Sequence, residues 1–149
     1  MHKILFVCLG NICRSPMAEM ILKDMVKKRG LEDQFEIASC ATSTEEIGNP
    51  VYPPARTELA KRGVPCEHRR ARQLTKADYD AYDLLIGMDE SNIRNMHRML
   101  GGDPKGKIRK MMTFAVSRRD VDDPWYTGGF DVTYRDITEG CEGLLKALL

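Results

Sequence analysis

A cysteine, an arginine and a serine lie close together near the start of the chain. Five residues separate Cys8 from Arg14, and Ser15 follows directly. A thiolate is a strong nucleophile, and a guanidinium presents a planar fork that matches two oxygens of a tetrahedral anion. A serine hydroxyl can donate a hydrogen bond to sulfur. These residue types predict a nucleophile at the floor of an oxyanion-binding loop.

The flanking residues predict the elements that hold this loop. Residues 4–7 form an apolar run typical of a buried strand, and Gly10 and Asn11, which tolerate left-handed backbone, interrupt it. From Arg14 onward, apolar residues recur at helical spacing. The amides and the dipole of a helix N-terminus favour both a thiolate and a bound oxyanion. Without these flanks, a cysteine separated from an arginine by five residues often arises by chance. A cysteine that ends a buried strand is most often simply a small core residue.

The run C-L-G-N-I-C-R-S-P-M-A-E at residues 8–19 resembles the active-site signature of the low-molecular-weight protein tyrosine phosphatases. The similarity extends over nearly the whole chain. It implies that Cys8 attacks phosphorus while Arg14 and the loop amides hold the phosphoryl oxygens, so no metal or cofactor is expected. It also implies a substrate pocket formed by Leu9, Gly10, Asn11, Ile12, Cys13 and Ser15, with Trp125 and Tyr126 from later in the chain.

Composition narrows the class of protein. The 149 residues fit one domain, 1–149, and the net charge of +1 gives no argument for nucleic acid or a membrane as partner. The five cysteines form no C-x-x-C pair and the three histidines no metal-ligand spacing, so no structural metal is expected. The N-terminal apolar run is too short for a signal peptide, and no run approaches the roughly 20 apolar residues of a membrane span. We therefore expect a cytoplasmic protein in a reducing compartment.

Predicted strands alternate with predicted helices along the chain. Strands are expected at 4–7, 35–39, 84–88 and 107–112, and helices from 14, at 55–62, from 75, at 89–100 and at 131–149, with loops at 40–54 and 120–130. This alternation predicts an α/β domain with a mainly parallel sheet, in which ligands bind beyond the carboxyl ends of the strands. The family resemblance adds a doubly wound, four-stranded sheet of flavodoxin-like topology.

The segment D-D-P-W-Y at residues 122–126 is a second candidate for the site. A thiolate that attacks a phosphate ester must expel an alkoxide or a phenoxide, and an acid that protonates this oxygen lowers the barrier. On its own, the segment is more typical of an Asp-Pro turn with two packed aromatic side chains. The family carries its general acid directly before the proline, which assigns the role to Asp123 and not to Asp122. Trp125 and Tyr126 would then flank a substrate ring.

Two further positions match the family, and one departs from it. Asp89 follows a buried strand and begins a helix, so we expect an N-cap. The corresponding family aspartate supports the site without donating the proton. Ser39 matches a serine that helps to hold the phosphate loop, whereas Cys40 stands where the family commonly has Gly or Ala.

Charged residues near the predicted pocket allow two more hypotheses. The family commonly has a histidine where this chain has Arg69, but the cluster of His68, Arg69 and Arg70 is more typical of a solvated patch than of an anion site. Glu45 stands where the family often has an aromatic residue in the pocket wall. Together with Glu46 it predicts an acidic wall that repels acidic phosphopeptides.

Cys13 and Ile12 leave alternatives open. Cys13 either packs the loop or forms a reversible disulfide with Cys8 that protects the nucleophile from over-oxidation. Two rival enzyme classes are arsenate reductases, against which the scattered remaining cysteines argue, and protein-arginine phosphatases, which tend to carry Thr in place of Ile12. A phosphoprotein-binding module is the third rival, and the full set of Cys8, Arg14 and Asp123 argues against it.

The resemblance implies phosphotyrosine-containing proteins as partners. It leaves open whether a cognate tyrosine kinase is a partner, and whether the protein is a monomer or a weak dimer.

Overall fold

The computed structural model describes residues 1–116 and 119–149. Four strands in this part of the chain form one parallel sheet in the order β2-β1-β3-β4. The strands are β1 (His2–Cys8), β2 (Phe35–Ala41), β3 (Leu84–Gly87) and β4 (Ile108–Lys110). This order is that of a flavodoxin-like sheet without its fifth strand. The predicted α/β class with a four-stranded parallel sheet is confirmed.

Helices cover both faces of the sheet. They are α1 (Arg14–Lys28), α2 (Pro53–Lys61), α3 (Lys76–Ala81), α4 (Glu90–Leu100), α5 (Pro124–Thr127) and α6 (Phe130–Leu148). Strand β1 is apolar on both sides: Ile4 and Phe6 pack with α1, α2 and α6, whereas Leu5 and Val7 pack with α3 and α4. None of the helices in the described part of the chain combines the length and the apolar character that crossing a membrane requires.

The fourth strand is shorter than predicted. It was expected over 107–112, but it ends at Lys110, and a 3-10 turn follows at Met111–Phe114. Met111 and Met112 are both fully buried in the same apolar cluster, which a strand could not achieve because consecutive strand residues point to opposite faces. Helix α6 lies very close to this turn, since a Cβ on Gly143 would stand 1.8 Å from the carbonyl oxygen of Phe114.

The segment predicted as an irregular loop at 120–130 contains helix α5. Asp123 caps this helix by accepting a hydrogen bond from the amide of Trp125 at 3.1 Å, and Gly128 ends it with a φ of 73°. An Asp-Pro start and a glycine stop are regular helix signals, so the sequence held the information for α5. The predicted N-terminal cap of α4 at Asp89 is confirmed, and the other helix boundaries lie within a few residues of the prediction.

The loops that follow the strands meet at the carboxyl edge of the sheet. The amide of Thr42, after β2, donates to the carbonyl of Cys8 at 3.0 Å. The amide of Val121, on the segment that follows β4, donates to the carbonyl of Met88 at 3.0 Å. The segments that the sequence singled out for chemistry therefore share one edge, where ligands bind in open α/β sheets.

Candidate active site

The sulfur of Cys8 lies at the end of β1 and is surrounded by hydrogen-bond donors. Cys8 is 3% exposed, and its Sγ accepts hydrogen bonds from the amides of Asn11 at 3.3 Å and Ser15 at 3.4 Å. The hydroxyl of Ser15 lies 3.0 Å from the same sulfur. Residues 8–15, which we call the phosphate loop, therefore place two amides and a hydroxyl around the sulfur.

Asn11 holds the turn in the phosphate loop. It is fully buried and has a φ of 58°, so the predicted left-handed backbone at Gly10-Asn11 falls on Asn11. Its side-chain Nδ2 donates to Ser15 Oγ at 2.7 Å. Its Oδ1 accepts hydrogen bonds from the guanidinium of Arg69 and from the amide of Arg72. These contacts hold the left-handed conformation, which asparagine tolerates better than most other non-glycine residues.

Arg14 connects the phosphate loop to the two loops opposite it. Its Nη1 donates to Asp89 Oδ2 at 2.6 Å and to the carbonyl of Val121 at 2.9 Å, and its Nη2 lies 3.5 Å from Asp123 Oδ2. Burial opposes the charge, but the sulfur of Cys8 and the two carboxylates outweigh it and raise the pKa of Arg14. The guanidinium is a fixed cation beside the sulfur of Cys8.

Asp89 has a role beyond the predicted N-cap. Its Oδ1 accepts the amide of Asn92 at 2.7 Å and caps α4, while its Oδ2 holds Arg14. One carboxylate thus stabilises a helix start and orients the arginine. This agrees with a supporting role, and the cap motif alone could not have shown the contact with Arg14, which lies 75 residues away.

A cleft of about 120 Å³ opens above the sulfur. Asp123 lies in its wall, and Trp125 and Tyr126 stand at its rim, where they are 51% and 78% exposed. Residues from three segments line it: Cys8, Leu9, Gly10, Asn11, Ile12, Cys13, Arg14, Glu45, Glu46, Asp123, Trp125 and Tyr126. Every predicted site residue except Ser15 is in this lining; Ser15 is fully buried beneath the loop.

One aromatic residue of the site was missed. The ring of Tyr52, just before α2, lies 4.7 Å from that of Trp125 in a tilted arrangement and supports it from behind. Nothing in the sequence near Tyr52 marks this contact, because it joins segments more than seventy residues apart. Among residues 1–116 and 119–149, no aromatic ring stacks on the exposed Tyr126, so the two aromatic residues at the rim differ in how firmly they are held.

The interpretation of residues 68–70 as a solvated patch is wrong for Arg69. Its Nη1 donates to the carbonyl of Asn11 at 2.9 Å, and its side chain is only 14% exposed. The family's histidine at this position was the available signal. The hydroxyl of Ser39 donates its hydrogen bond to Glu19 Oε1 at 2.6 Å and not to the phosphate loop, and that oxygen lies 4.0 Å from Arg69 Nε.

The cysteines beside Cys8 are poor nucleophiles. Each of the five is a free thiol in the structure. Burial, with added repulsion from Cys8 and Asp123, raises the pKa of Cys13 to about 12. Burial also raises the pKa of Cys40 well above its usual range. Both thiols therefore keep their protons at neutral pH.

Known proteins resemble this chain over nearly its full length. A sequence profile described as low molecular weight phosphotyrosine protein phosphatase matches residues 3–149. The low molecular weight protein-tyrosine-phosphatase YfkJ of Bacillus subtilis is 38% identical over 99% of this chain and 96% of its own length. The low molecular weight phosphotyrosine protein phosphatase of Schizosaccharomyces pombe is 40% identical over 98% of this chain and 96% of its own length.

Solved structures agree with the sequence comparison. The crystal structure of YfkJ aligns with a TM-score of 0.95, covering 99% of this chain and 94% of that one. The structure of SP-PTP, a low molecular weight protein tyrosine phosphatase from Streptococcus pyogenes, is 37% identical with a TM-score of 0.90, covering 100% of this chain and 94% of that one. The resemblance at residues 8–19 is thus confirmed along the chain and in three dimensions. This chain belongs to the low molecular weight phosphotyrosine protein phosphatase family.

Proposed function

We propose that this phosphatase hydrolyses phosphotyrosine in proteins, and small aryl phosphates, through a cysteinyl-phosphate intermediate. The observation that carries the proposal is the position of Cys8 Sγ. It lies at the floor of a cleft, within 3.4 Å of two loop amides, with Arg14 and Asp123 in the lining. A buried sulfur ringed by donors and facing an open cleft is arranged for attack on a tetrahedral anion.

In the first step the Cys8 thiolate attacks phosphorus in line with the ester oxygen. The S–P bond forms as the P–O bond to the tyrosyl oxygen breaks. The amides of residues 9–15 and the fork of Arg14 hold the three equatorial oxygens, whose charge they stabilise in the transition state. Because Arg14 and these amides supply the positive field, the mechanism needs no metal.

Asp123 serves both steps. As a carboxylic acid it gives its proton to the departing tyrosyl oxygen, so the leaving group departs as a neutral phenol. As a carboxylate it then takes a proton from water, whose oxygen attacks phosphorus as the S–P bond breaks. Inorganic phosphate leaves, and the thiolate and the protonated Asp123 are restored.

The rim of the cleft favours an aromatic substrate. Trp125 and Tyr126 present exposed ring faces on one side, and Ile12 gives the floor an apolar surface. These groups suit the ring of phosphotyrosine better than the charged guanidine of phosphoarginine. The proposed partners are phosphotyrosine-containing proteins and a tyrosine kinase that phosphorylates them. A single domain in the cytoplasm, monomeric or weakly dimeric, is the setting we expect.

The test is hydrolysis of a phosphotyrosine peptide in the presence of a metal chelator and a reductant. The parent should be active, Cys8→Ser should be inactive, and Asp123→Asn should lose most of its kcat/KM. Phosphoserine and phosphoarginine peptides of the same sequence serve as matched substrates and should turn over far more slowly. A parent that is inactive on all three peptides would overturn the proposal, and arsenate reduction with thioredoxin would be the next assay.

A further inference from the structure

The ring of Tyr52 lies between two other aromatic rings, outside the lining of the cleft. Its centroid is 4.7 Å from that of Trp125 in α5 and 6.1 Å from that of Phe130, the first residue of α6. Both distances fall in the range in which aromatic side chains attract each other. The ring of Tyr52 therefore joins α5 to the start of α6.

The backbone of Tyr52 is anchored on both sides of the ring. Its amide donates to the carbonyl of Ile12, in the phosphate loop, at 2.9 Å. Its carbonyl accepts the amides of Ala55 and Arg56, in the first turn of α2, at 3.0 and 3.1 Å. The half-buried side chain also packs against the apolar cluster that contains Ile12 and Cys13. Tyr52 is therefore a fixed point beside the phosphate loop.

Helix α5 is short and is followed by two glycines. Its four residues, Pro124–Thr127, form a single turn, and Gly128 and Gly129 join it to α6. Glycine restricts the backbone less than any other residue, so this junction does little to fix the direction of α5. The contact between the rings of Trp125 and Tyr52 supplies a restraint that the junction lacks.

The position of Trp125 bears directly on Asp123. The amide of Trp125 donates to Asp123 Oδ1 at 3.1 Å, while Oδ2 lies 3.5 Å from Arg14 Nη2. Because the ring and the amide of Trp125 belong to one residue of a single-turn helix, holding the ring limits how far the amide and the carboxyl move. A displacement of about 1 Å at a reacting group costs about a hundredfold in rate.

We propose that Tyr52 is a positioning residue for the general acid. It holds the ring of Trp125, and through the amide of Trp125 it keeps the carboxyl of Asp123 in the wall of the cleft above Cys8. Tyr52 lies outside the lining of the cleft and acts only through these neighbours. The inference rests on the proposed role of Asp123 as the acid, but one of its two tests reads the mobility of Trp125 and requires no turnover.

Trp125 is the only tryptophan in the chain, so tryptophan fluorescence reports on α5 alone. Quenching of this fluorescence by acrylamide is compared in the parent, Tyr52→Ala and Tyr134→Ala. In Tyr52→Ala the quenching constant should rise about twofold, because one face of the indole loses its cover. Tyr134 is a second half-buried tyrosine, on α6, and its ring packs against the guanidinium of Arg62 at the end of α2. Tyr134→Ala is therefore a matched control and should be quenched as the parent is; parental quenching in Tyr52→Ala would overturn the proposal.

The kinetic test compares two substrates that differ in their need for an acid. The kcat/KM for an activated aryl phosphate is divided by the kcat/KM for a phosphotyrosine peptide in each variant. Both substrates carry an aryl ring, so a loss of ring binding lowers both values and cancels in the ratio. In Tyr52→Ala the ratio should rise about tenfold, because only the tyrosyl oxygen needs a well-placed proton donor. Tyr134→Ala should keep the parental ratio.

Two further variants separate positioning from general damage. Tyr52→Phe keeps the ring that makes both aromatic contacts, so its ratio and its quenching should be parental. Tyr52→Leu keeps an apolar side chain beside Ile12 but has no ring, so its ratio should rise about threefold. This variant also provides the test if Tyr52→Ala does not fold. A parental ratio in Tyr52→Ala or Tyr52→Leu, or a raised ratio in Tyr52→Phe, would overturn the proposal.

A double-mutant cycle tests whether Tyr52 acts through Trp125. In a Trp125→Ala background, Tyr52→Ala should change the ratio by less than about twofold, because the ring contact is already absent. A full tenfold effect in that background would contradict the proposed route. A parent that hydrolyses neither substrate would reject the proposed function, whereas an active parent with unchanged quenching in Tyr52→Ala would reject only the role of Tyr52.

Discussion

The two loops that face each other across the cleft are built differently. In the phosphate loop, Cys8, Asn11, Arg14 and Ser15 are each at most 3% exposed. In the segment at 120–130, which we call the acid loop, Val121 and Pro124 are buried, whereas Asp122 and residues 125–128 are exposed. Donors that stabilise developing charge must be fixed beforehand, whereas a proton donor must reach leaving groups of different shapes. In the proposed mechanism, the buried phosphate loop stabilises charge and the acid loop supplies the proton donor.

Hydrogen bonds hold the acid loop before Asp123, and a short helix follows it. Before it, Val121 donates to the carbonyl of Met88 at 3.0 Å, and the hydroxyl of Thr133 on α6 donates to the carbonyl of Asp122 at 3.3 Å. After it, the four residues of α5 follow directly. The carboxylate itself is held by its own helix cap and by the 3.5 Å contact with Arg14. Arg14 is therefore the side chain that couples the two loops.

The largest effect is expected when the shared arginine is changed. Arg14→Lys keeps a positive charge but loses the fork that holds two phosphoryl oxygens, so kcat should fall about a thousandfold. The loss should be the same for a phosphotyrosine peptide and for an activated aryl phosphate, because it acts on phosphorus and not on the leaving group. Arg94→Lys, on the exposed face of α4, is the control and should retain parental kcat. A loss confined to the peptide would place Arg14 with the acid loop instead.

A change in the acid loop should depend on the leaving group. In Asp123→Asn, kcat/KM for the phosphotyrosine peptide should fall about a hundredfold, since the tyrosyl oxygen departs unprotonated. For an activated aryl phosphate, whose phenolate leaves without help, kcat/KM should change by about threefold or less. The neighbouring, exposed Asp122→Asn should behave as the parent. Equal losses on both substrates would remove the distinction between the two loops.

The acidic wall should tune the choice of peptide more gently. Glu46 packs its stem against Gly10 and accepts a hydrogen bond from Asn49 at 2.5 Å, and Glu45 is exposed beside it. Replacing both with Gln should raise kcat/KM on acidic phosphopeptides about threefold and leave neutral peptides unchanged. The gain should shrink at high salt. If the double variant gained equally in kcat/KM on neutral peptides, the size of the two side chains, and not their charge, would set the preference among peptides.

The smallest effect on turnover is expected from a change at Cys13. Its two alternative roles, loop packing and a protective disulfide with Cys8, predict different experimental results. Its thiol has a pKa of about 12, so it is protonated at pH 7 and becomes reactive only as the pH approaches that value. Iodoacetate at pH 7 should label Cys8 and leave Cys13 unlabelled, and Cys13 should also stay unlabelled in Cys8→Ser. Labelled Cys13 in that variant would show that burial does not protect it.

Protection from peroxide tests the second role of Cys13. If a Cys8–Cys13 disulfide forms, Cys13→Ser should have about parental kcat but should recover less activity after peroxide treatment and reduction. Recovery equal to that of the parent would leave loop packing as the role of Cys13. The readout is the recovered fraction of phosphatase activity.

The same contrast explains what the sequence could and could not predict. The phosphate loop was predictable because its strand, left-handed turn and helix are consecutive in the chain, and each has a local signal. The support behind it was not, because Arg69 reaches Asn11 across 58 residues and looks like surface charge in the sequence. The short β4 was mispredicted because two consecutive methionines are buried on one side after Lys110, and α5 because an Asp-Pro start and a glycine stop are also typical of a turn.

The central claim is that Cys8 becomes phosphorylated during turnover. The most direct measurement uses the Asp123→Asn variant with an activated aryl phosphate. With this substrate the first step needs no acid, but the second step lacks its base. The cysteinyl-phosphate intermediate should therefore accumulate. Rapid quenching in denaturant, digestion and mass spectrometry should find one phosphoryl group on the peptide that carries Cys8. None should be found on the same peptide of the double variant Cys8→Ser and Asp123→Asn. Phosphate release without a phosphorylated Cys8, or a phosphoryl group on another residue, would contradict the account.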